Sequence, residues 1–297
     1  MPGARPQPPS LVGRWVVGAR PRTLPASAVP VVVGTAVVAS SGEIIWWRAA
    51  AALAVALALQ VGTNYANDYS DGIRGTDTDR VGPLRLVGSR LASPAAVKRA
   101  AALAFGVAAA AGLALAAAAG WWLIALGAAC VAAGWLYTGG PRPYGYFGLG
   151  ELFVFVFFGL VATAGTVYVQ LGRVTGLAVL ASVPVGLLAV ALLVVNNLRD
   201  IRGDQASGKR TLAVRIGAPA TRAVYVTCVA APFGFACVTA VARPWAMLAL
   251  VAVPLAVVPA RRVFARDEGR DLIAVLAATG RLQLCFGALY ALGIAVS

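Results

Sequence analysis

The chain has 297 residues, of which 60% are hydrophobic and only 12% are charged, and its mean hydropathy is +0.81. A soluble globular domain has about one-quarter charged residues, so this composition excludes that class and predicts an all-α, polytopic membrane protein. The formal net charge of +14 would by itself permit nucleic-acid binding, but the basic residues lie between apolar segments, which favours the lipid bilayer as partner and no nucleic acid.

Nine apolar segments follow one another along the chain, each close to the ~20 residues that a helix needs to cross a bilayer. Residues 1–23 precede them as a tail and an amphipathic lead-in, and residues 24–297 are predicted to form a single domain. The predicted spans are about 24–41, 47–68, 94–118, 121–138, 150–171, 175–198, 219–241, 245–263 and 273–296.

The basic residues predict how these spans are oriented. With the N-terminus inside, every one of the 25 Lys and Arg residues falls on the inner side except Arg48, Arg173 and Arg243. Inner loops of membrane proteins carry such an excess of positive charge. The asymmetry therefore predicts a cell-membrane protein in which residues 64–80 and 199–215 both face the cytoplasm.

Two polar segments break the apolar pattern and resemble each other. NDYSDGIRGTD covers residues 67–77, and NNLRDIRGDQASGKRTL covers residues 196–212. In each, an Asn precedes an Asp by four residues and IRG with a further Asp follows, which indicates an internal duplication. On a helix the polar positions of each motif would share one face. They are Asn64, Asn67, Asp68 and Asp71 in the first motif, and Asn196, Asp200 and Asp204 in the second.

This pattern of carboxylates and amides predicts a cation site. Crowded carboxylates repel one another unless a cation lies among them, and Mg²⁺ typically binds one or two carboxylates together with phosphates of the substrate. Basic residues in the same segments would neutralise a diphosphate; they are Arg74, Arg80, Arg85, Arg202, Lys209 and Arg210. A solvated charged loop is the alternative for one motif alone, but two related motifs on one side favour a site.

A metal-bound diphosphate inside a membrane suggests a leaving group on a lipid tail. Ionisation of an allylic diphosphate gives a carbocation, which a dry cavity protects from water and an electron-rich ring can capture. This chemistry needs no nucleophilic side chain. It suits a chain without histidine, whose absence also excludes Ser-His triads and histidine-ligated zinc.

The stretches NDYSDGIRGTDTDRVGPLR and NNLRDIRGDQASGKRTLAVRIG resemble the two aspartate-rich motifs of the UbiA superfamily of intramembrane prenyltransferases. ARPRTLPAS (19–27), YTGGPRPYGYFGLGE (137–151) and the step of six residues from Asp71 to Asp77 are most similar to its branch that acts on 1,4-dihydroxy-2-naphthoate. The resemblance implies nine helices around a central cavity. It also implies Mg²⁺-dependent transfer of a polyprenyl chain from polyprenyl diphosphate to that aromatic acceptor, with loss of CO2 and diphosphate, giving demethylmenaquinone.

The resemblance also assigns roles by motif position. The candidate metal ligands are Asn67, Asp68, Asp71, Asp77, Asp200 and Asp204. The candidate diphosphate-binding residues are Arg74, Arg80, Arg202, Lys209, Asn64 and Asn197, and the candidate catalytic residues are Asp71, Asp200 and Lys209. For Asn64 and Asp68 the alternative is equally good: they would contact the metal ligands and orient them, without binding the metal or the diphosphate. Arg20, Arg22, Tyr137 and Tyr144 are candidate acceptor contacts, with anchors at the membrane interface as the alternative.

Other functions stay open at this level. The residues do not reveal the acceptor, so 4-hydroxybenzoate and homogentisate remain alternatives. A cation transporter is the competing class, because acidic residues in membranes often mark ion paths; the aspartates, however, cluster at one face among arginines. A non-catalytic scaffold would leave the paired motifs unexplained.

Overall fold

The computed structural model describes residues 10–76, 84–265 and 268–297. Within these ranges the main elements are helices, which we label α1 to α10 in chain order. They are α1 Leu11–Ala19, α2 Pro25–Ala39, α3 Trp46–Arg74, α4 Pro94–Ala119, α5 Leu123–Leu136, α6 Gly150–Leu171, α7 Gly176–Ala206, α8 Leu212–Ala240, α9 Pro244–Phe264 and α10 Leu272–Ala295.

Seven helices of the described residues are long and apolar enough to cross a membrane, and they coincide with seven of the nine predicted spans. The first predicted span is the second arm of a helix pair, Leu11–Thr23 and Pro25–Ala39, that bends by 52°. The fourth is α5, a shorter apolar helix of 14 residues. The prediction of an all-helical chain with several candidate membrane spans is therefore confirmed.

Two helices extend past the ends that hydropathy predicts. α3 continues to Arg74 and α7 to Ala206, whereas the predicted spans stop at residues 68 and 198. Hydropathy falls where the charged motifs begin, but helical backbone hydrogen bonds do not depend on the membrane and continue through them. Both motifs consequently project their side chains from helix ends.

The helix α7 lies in the interior of the bundle. Its most apolar window is 72% buried, against 44% or less for the other candidate spans. Residues of α7 from Ala178 to Leu198 form the centre of the largest hydrophobic cluster, together with side chains of α2, α8 and α10. Burial of this apolar surface holds the C-terminal end of α7, which carries the second motif, in a fixed place.

The backbones of α6 and α7 approach each other closely at a pair of glycines. A Cβ atom on Gly159 would lie 2.7 Å from the Cα atom of Gly186, so no larger residue fits there without a shift. Gly159 belongs to a π-helical turn, Phe155–Val161, a feature that is often found at functional sites. The close approach brings the aromatic side chains of Phe153 and Phe157 to the wall of a cavity.

Two of the three arginines that the orientation prediction places outside bind helix ends. Arg48 donates hydrogen bonds to the carbonyls of Val169 (2.9 Å) and Ala118 (3.1 Å), near the C-terminal ends of α6 and α4. Arg243 donates to the carbonyl of Ser40 (3.0 Å), which directly follows α2. Carbonyls at helix C-termini lack partners within the helix and carry partial negative charge, so these guanidinium groups act as caps.

Candidate active site

A cavity of about 1190 Å³ runs between the helices and exceeds the usual ligand pocket of about 300–1,000 Å³. One end is lined by polar residues of both motifs: Asn64, Asn67, Asp71, Asn196, Asn197, Asp200, Asp204 and Lys209. The rest is apolar and includes Ala52, Val55, Leu115, Leu126, Phe157 and Val161. Ala52 and Asp71 lie on the same helix about 28 Å apart, at about 1.5 Å per residue. The cavity therefore combines a charged head with a long apolar body.

Asp71, near the end of α3, is only 2% exposed and accepts three hydrogen bonds. Its Oδ1 atom accepts hydrogen bonds from Lys209 Nζ (3.0 Å) and from the hydroxyl of Tyr146 (3.0 Å). Its Oδ2 atom accepts from Arg85 at 3.4 Å. All three donors come from outside α3, so this carboxylate joins three connecting segments at one point.

The Lys209 side chain lies between the two motifs. Burial would lower the pKa of Lys209, but the carboxylate of Asp71, with help from Asp204, outweighs burial and raises that pKa above its ordinary value. The ammonium group also lies 4.9 Å from the ring centre of Tyr146, a favourable cation–π arrangement. Burial and the charge of Asp71 raise the pKa of Tyr146, so its hydroxyl stays a donor. Lys209 is thus a fixed positive charge at neutral pH.

The carboxylate of the second motif is held by its own neighbours. Arg199 donates Nε to Asp200 Oδ1 (2.7 Å) and one terminal nitrogen to Asp200 Oδ2 (2.6 Å). The same terminal nitrogen donates to Asn196 Oδ1 at 2.8 Å. The Arg199 side chain is 1% exposed, and a two-point pairing of this kind fixes both partners. Arg199 therefore presents the carboxylate of Asp200 along the cavity wall.

The amides of the first motif are also oriented by hydrogen bonds. Asn67 Oδ1 accepts from the hydroxyl of Thr138 at 2.8 Å. Asn64 donates to the carbonyl of Ala19 (2.9 Å) and to the hydroxyl of Thr23 (3.2 Å), and Gln60 donates to Asn64 Oδ1 (3.2 Å). Asn64 thus anchors the segment before α2 to α3, while its side chain also lines the cavity.

Three of the predicted diphosphate-binding residues form hydrogen bonds or ion pairs with other parts of the protein. Arg74 donates both terminal nitrogens to the backbone carbonyls of Thr138 and Gly140. Arg202 is 87% exposed at its side chain and pairs with Glu268 at 2.9 Å. Asn197 donates to Glu151 Oε1 at 2.9 Å. Arg202 and Asn197 still line the cavity, whereas Arg74 is not among its lining residues.

The remaining predictions are distributed as follows. Arg20, Tyr137 and Tyr144 line the cavity, whereas Arg22 is exposed. Tyr144 stacks on Phe153 with ring centres 4.0 Å apart. Asp68 is 1% exposed, and both of its oxygens accept backbone N–H groups. Asp77 and Arg80 lie outside the described residues.

The oxygen donors that line the cavity are of the kind that a hard divalent cation prefers. Carboxylates of Asp71, Asp200 and Asp204 and the amide oxygen of Asn67 meet its polar end. Among residues 10–76, 84–265 and 268–297, no three acidic or Cys side chains form a metal cluster by themselves. This donor set fits Mg²⁺, which takes few carboxylates and completes its shell with phosphates and water.

Family comparison decides what kind of protein carries this cavity. Residues 27–286 match the sequence model of the UbiA prenyltransferase family. The chain belongs to the UbiA prenyltransferase family. The charged end of its cavity is therefore part of a prenyltransferase fold, and the family resemblance of the two motifs is confirmed.

Relatives and solved structures agree with this assignment. The chain is 52% identical to 1,4-dihydroxy-2-naphthoate octaprenyltransferase of Mycobacterium tuberculosis, over 91% of this chain and 93% of that protein. It is 36% identical to the protein of the same name in Escherichia coli, over 95% of each chain. The fold is similar to that of a UbiA homolog from Archaeoglobus fulgidus bound to GPP and Mg²⁺, with a TM-score of 0.67 at 12% identity, covering 96% of this chain and 100% of that one.

Some contacts of the site were not assigned from the sequence. Arg199 precedes Asp200 directly, so adjacency was a usable signal for it. Arg85 was one of six basic residues in the motifs, and nothing in the spacing singles it out. The pairing of Thr138 with Asn67 and of Tyr146 with Asp71 joins residues more than 70 positions apart, and no periodic pattern encodes such a contact.

Proposed function

We propose that the chain transfers a polyprenyl group from polyprenyl diphosphate to 1,4-dihydroxy-2-naphthoate, with loss of CO2 and diphosphate. The observation that carries this proposal is the meeting of both motifs at the polar end of one largely apolar cavity. Such a cavity suits a substrate with an anionic head and a long hydrocarbon tail. The acceptor is inferred from relatives named for this naphthoate, to which the chain is 52% identical over most of its length.

The architecture in the membrane is part of the proposal. Nine membrane helices would surround the cavity as one domain, residues 24–297, with α5 and the bent α2 as the two short members. The asymmetry of the basic residues supports a cell-membrane location with the charged end of the cavity on the cytoplasmic side. The polyprenyl diphosphate would enter from the bilayer, since its tail is insoluble in water.

Mg²⁺ is the proposed cofactor. Asn67 and Asp71 from α3, with Asp200 and Asp204 from α7, are the described residues that would hold it, and Asp77 is added from its motif position. When bound, Mg²⁺ would supply positive charge to the departing diphosphate. Asp71 and Asp200 each accept hydrogen bonds from buried cationic side chains, and this ability to stabilise positive charge supports the assignment.

Cationic side chains of the polar end would bind the diphosphate. Lys209 and Arg85, which both contact Asp71, and Arg199, which contacts Asp200, line the cavity. Each can donate to phosphate oxygens in a largely water-free site, where charge-assisted hydrogen bonds are strong. Arg80, Asn64 and Asn197 remain candidates from their motif positions, and Arg74 would act indirectly by fixing the Thr138–Gly140 backbone.

The reaction then balances without a nucleophilic side chain. The allylic C–O bond breaks and its electron pair leaves with the diphosphate, while the naphthoate ring supplies the electrons of the new C–C bond. The carboxylate leaves as CO2 and the electron pair of its C–C bond stays on the ring. No oxidant or reductant is therefore needed, and the product is a hydroquinone, the reduced form of demethylmenaquinone. Tyr137, Tyr144 and Phe153 line the cavity, and their aromatic rings can stabilise transient positive charge. Arg20 also lines the cavity and would meet the acceptor carboxylate.

The acceptor assignment is tested with membranes that contain the full chain, Mg²⁺ and a polyprenyl diphosphate. Parallel reactions receive 1,4-dihydroxy-2-naphthoate, 4-hydroxybenzoate or homogentisate, and membranes lacking the chain serve as the control. We expect a prenylated product and release of CO2 only from the naphthoate. Prenylation of 4-hydroxybenzoate without prenylation of the naphthoate would overturn the assignment while preserving the reaction class.

A further inference from the structure

Asp68 belongs to the first motif but does not line the cavity. On α3, residues Asn64, Asn67 and Asp71 line the cavity, and Asp68 is turned about 100° away from Asn67 by the geometry of the helix. Its side chain is buried, with 1% of the residue exposed. A carboxylate buried in this way needs partners, because an unpaired buried charge is costly.

The partners of Asp68 are two successive backbone amides. Leu86 donates its N–H to Oδ2 at 2.8 Å, and Val87 donates its N–H to Oδ1 at 3.0 Å. Each oxygen therefore accepts one hydrogen bond from the same short segment. This two-point contact fixes both the position and the direction of the backbone between residues 85 and 87.

The surrounding packing is built for the same segment. Leu86 is fully buried beside Tyr65 in a hydrophobic cluster that also holds Val87. Val87 packs on α3 at Gly72, where even a Cβ atom would collide with the valine side chain. Tyr65, Asp68 and Gly72 thus form one face of α3 that receives the segment, a quarter-turn from the face that lines the cavity.

The residue directly before this segment is Arg85. Arg85 is 6% exposed, lines the cavity and donates to Asp71 Oδ2 at 3.4 Å. Because its backbone adjoins the two amides that Asp68 holds, the position of its guanidinium depends on that contact. A long, flexible side chain is useful at a binding site only when its base is fixed.

We propose that Asp68 is a positioning residue that holds the Leu86–Val87 backbone and so directs Arg85 into the diphosphate end of the cavity, and that it is not a metal ligand. The kinetic consequence of this inference rests on the proposed function, whereas the contact between Asp68 and the two amides is independent of it. It replaces the metal-ligand role that the motif position of Asp68 suggests.

The first test is amide hydrogen exchange in the full-length protein, without metal or substrate, read at single-residue resolution. Asp68→Asn keeps the shape of the side chain but replaces one acceptor oxygen with an NH2 group. We expect faster exchange at Leu86 or Val87, and unchanged exchange there in Asp71→Asn. Unchanged exchange at both amides in Asp68→Asn would overturn the proposal. If Asp68→Asn does not fold, slow exchange of both amides in the wild type supports the contact, and rapid exchange contradicts it.

The second test separates positioning from metal binding by kinetics. Asp68→Asn and Arg85→Gln should each raise the KM for polyprenyl diphosphate about 10-fold, the effect of losing one charged hydrogen bond. Arg90 is exposed and lies in the same connecting segment, so Arg90→Gln is the matched control and should leave this KM unchanged. The double variant should be no worse than Arg85→Gln alone, because the two residues act through one contact. The Mg²⁺ concentration for half-maximal rate should not change in Asp68→Asn.

A higher Mg²⁺ requirement in Asp68→Asn, or additive losses in the double variant, would show that Asp68 acts independently of Arg85 and overturn the proposal. The proposed function and the positioning role of Asp68 can also fail separately. If the wild-type chain transfers no prenyl group at all, the proposed function fails, and the exchange experiment alone then decides the role of Asp68.

Discussion

Asp71 and Asp200 occupy matching places in two similar sequence motifs, but the structure surrounds them differently. The partners of Asp71 are Lys209, Tyr146 and Arg85, which come from three separate connecting segments. Asp200 accepts two hydrogen bonds from Arg199, the residue directly before it. Asp71 is thus tied by hydrogen bonds to three connecting segments, whereas the two-point pair of Asp200 with Arg199 lies within a single helix.

This difference shows that repeated sequence need not mean repeated roles. Asp71 couples the segment after α3 to the segment between α7 and α8, so it can act as the point at which the polar end is assembled. Asp200 is set in place by α7, the most buried candidate span. The two halves of the site would then share a chemical task while differing in what keeps them in position.

Removal of divalent metal should have the largest effect and should not distinguish the two motifs. EDTA is expected to lower prenyl transfer to the level of membranes that lack the chain, and Mg²⁺ added in excess should restore it, because the departing diphosphate needs neutralising charge. Product formation with a polyprenyl diphosphate is the measurement. Undiminished activity in EDTA would remove the metal from both motifs at once.

Neutralising either carboxylate should come next in size. Asp71→Asn and Asp200→Asn are each expected to lower kcat by about 10²–10³-fold, the usual cost of losing one electrostatic contact to the transition state. The matched control is Asp271→Asn, an exposed aspartate before α10, which should retain activity. A near-normal rate in only one of the two variants would show that the motifs are not equivalent in catalysis either.

Two arginines of the second motif, Arg199 and Arg202, test whether the contact between Arg199 and Asp200 matters for activity. Arg199→Lys keeps the charge but loses the two-point contact with Asp200, and kcat/KM should fall about 10-fold or more, the cost of one charged hydrogen bond. Arg202→Lys should change kcat/KM by less than about two-fold, because an exposed ion pair contributes little. A larger loss of kcat/KM in Arg202→Lys would support the predicted role of Arg202 in binding the diphosphate.

The smallest predicted loss of activity concerns the hydrogen bond from Tyr146 to Asp71. Tyr146→Phe removes one hydrogen bond to Asp71 but keeps the ring beneath Lys209, so kcat/KM should fall only about 3–10-fold. Tyr290→Phe is the control, since Tyr290 pairs with Thr239 in the apolar core and its loss should affect thermal stability, not kcat. No change in Tyr146→Phe would mean that Lys209 alone suffices to hold Asp71.

Most of the fold could be predicted from the sequence because a helix that crosses a membrane needs a long apolar segment, which hydropathy detects. Seven spans appear as long helices, whereas the first and fourth are shortened where Pro21, Pro25 and Gly120 interrupt the apolar runs. The motifs predicted the chemistry of the polar end, and Asp71, Asp200 and Lys209 all line the cavity. Their partners were harder to predict, because which face of a helix meets which loop depends on packing between distant residues.

Arg48 and Arg243 give the topology a further property. Both arginines contradict the charge bias that predicts orientation, yet both are bound to backbone carbonyls at the ends of helices. Each guanidinium keeps its positive charge and also holds the carbonyl end of a helix that is distant in sequence. Attempts to invert this chain by charge swapping should therefore act on the inner loops, since replacing Arg48 or Arg243 would also remove a cap from a helix end.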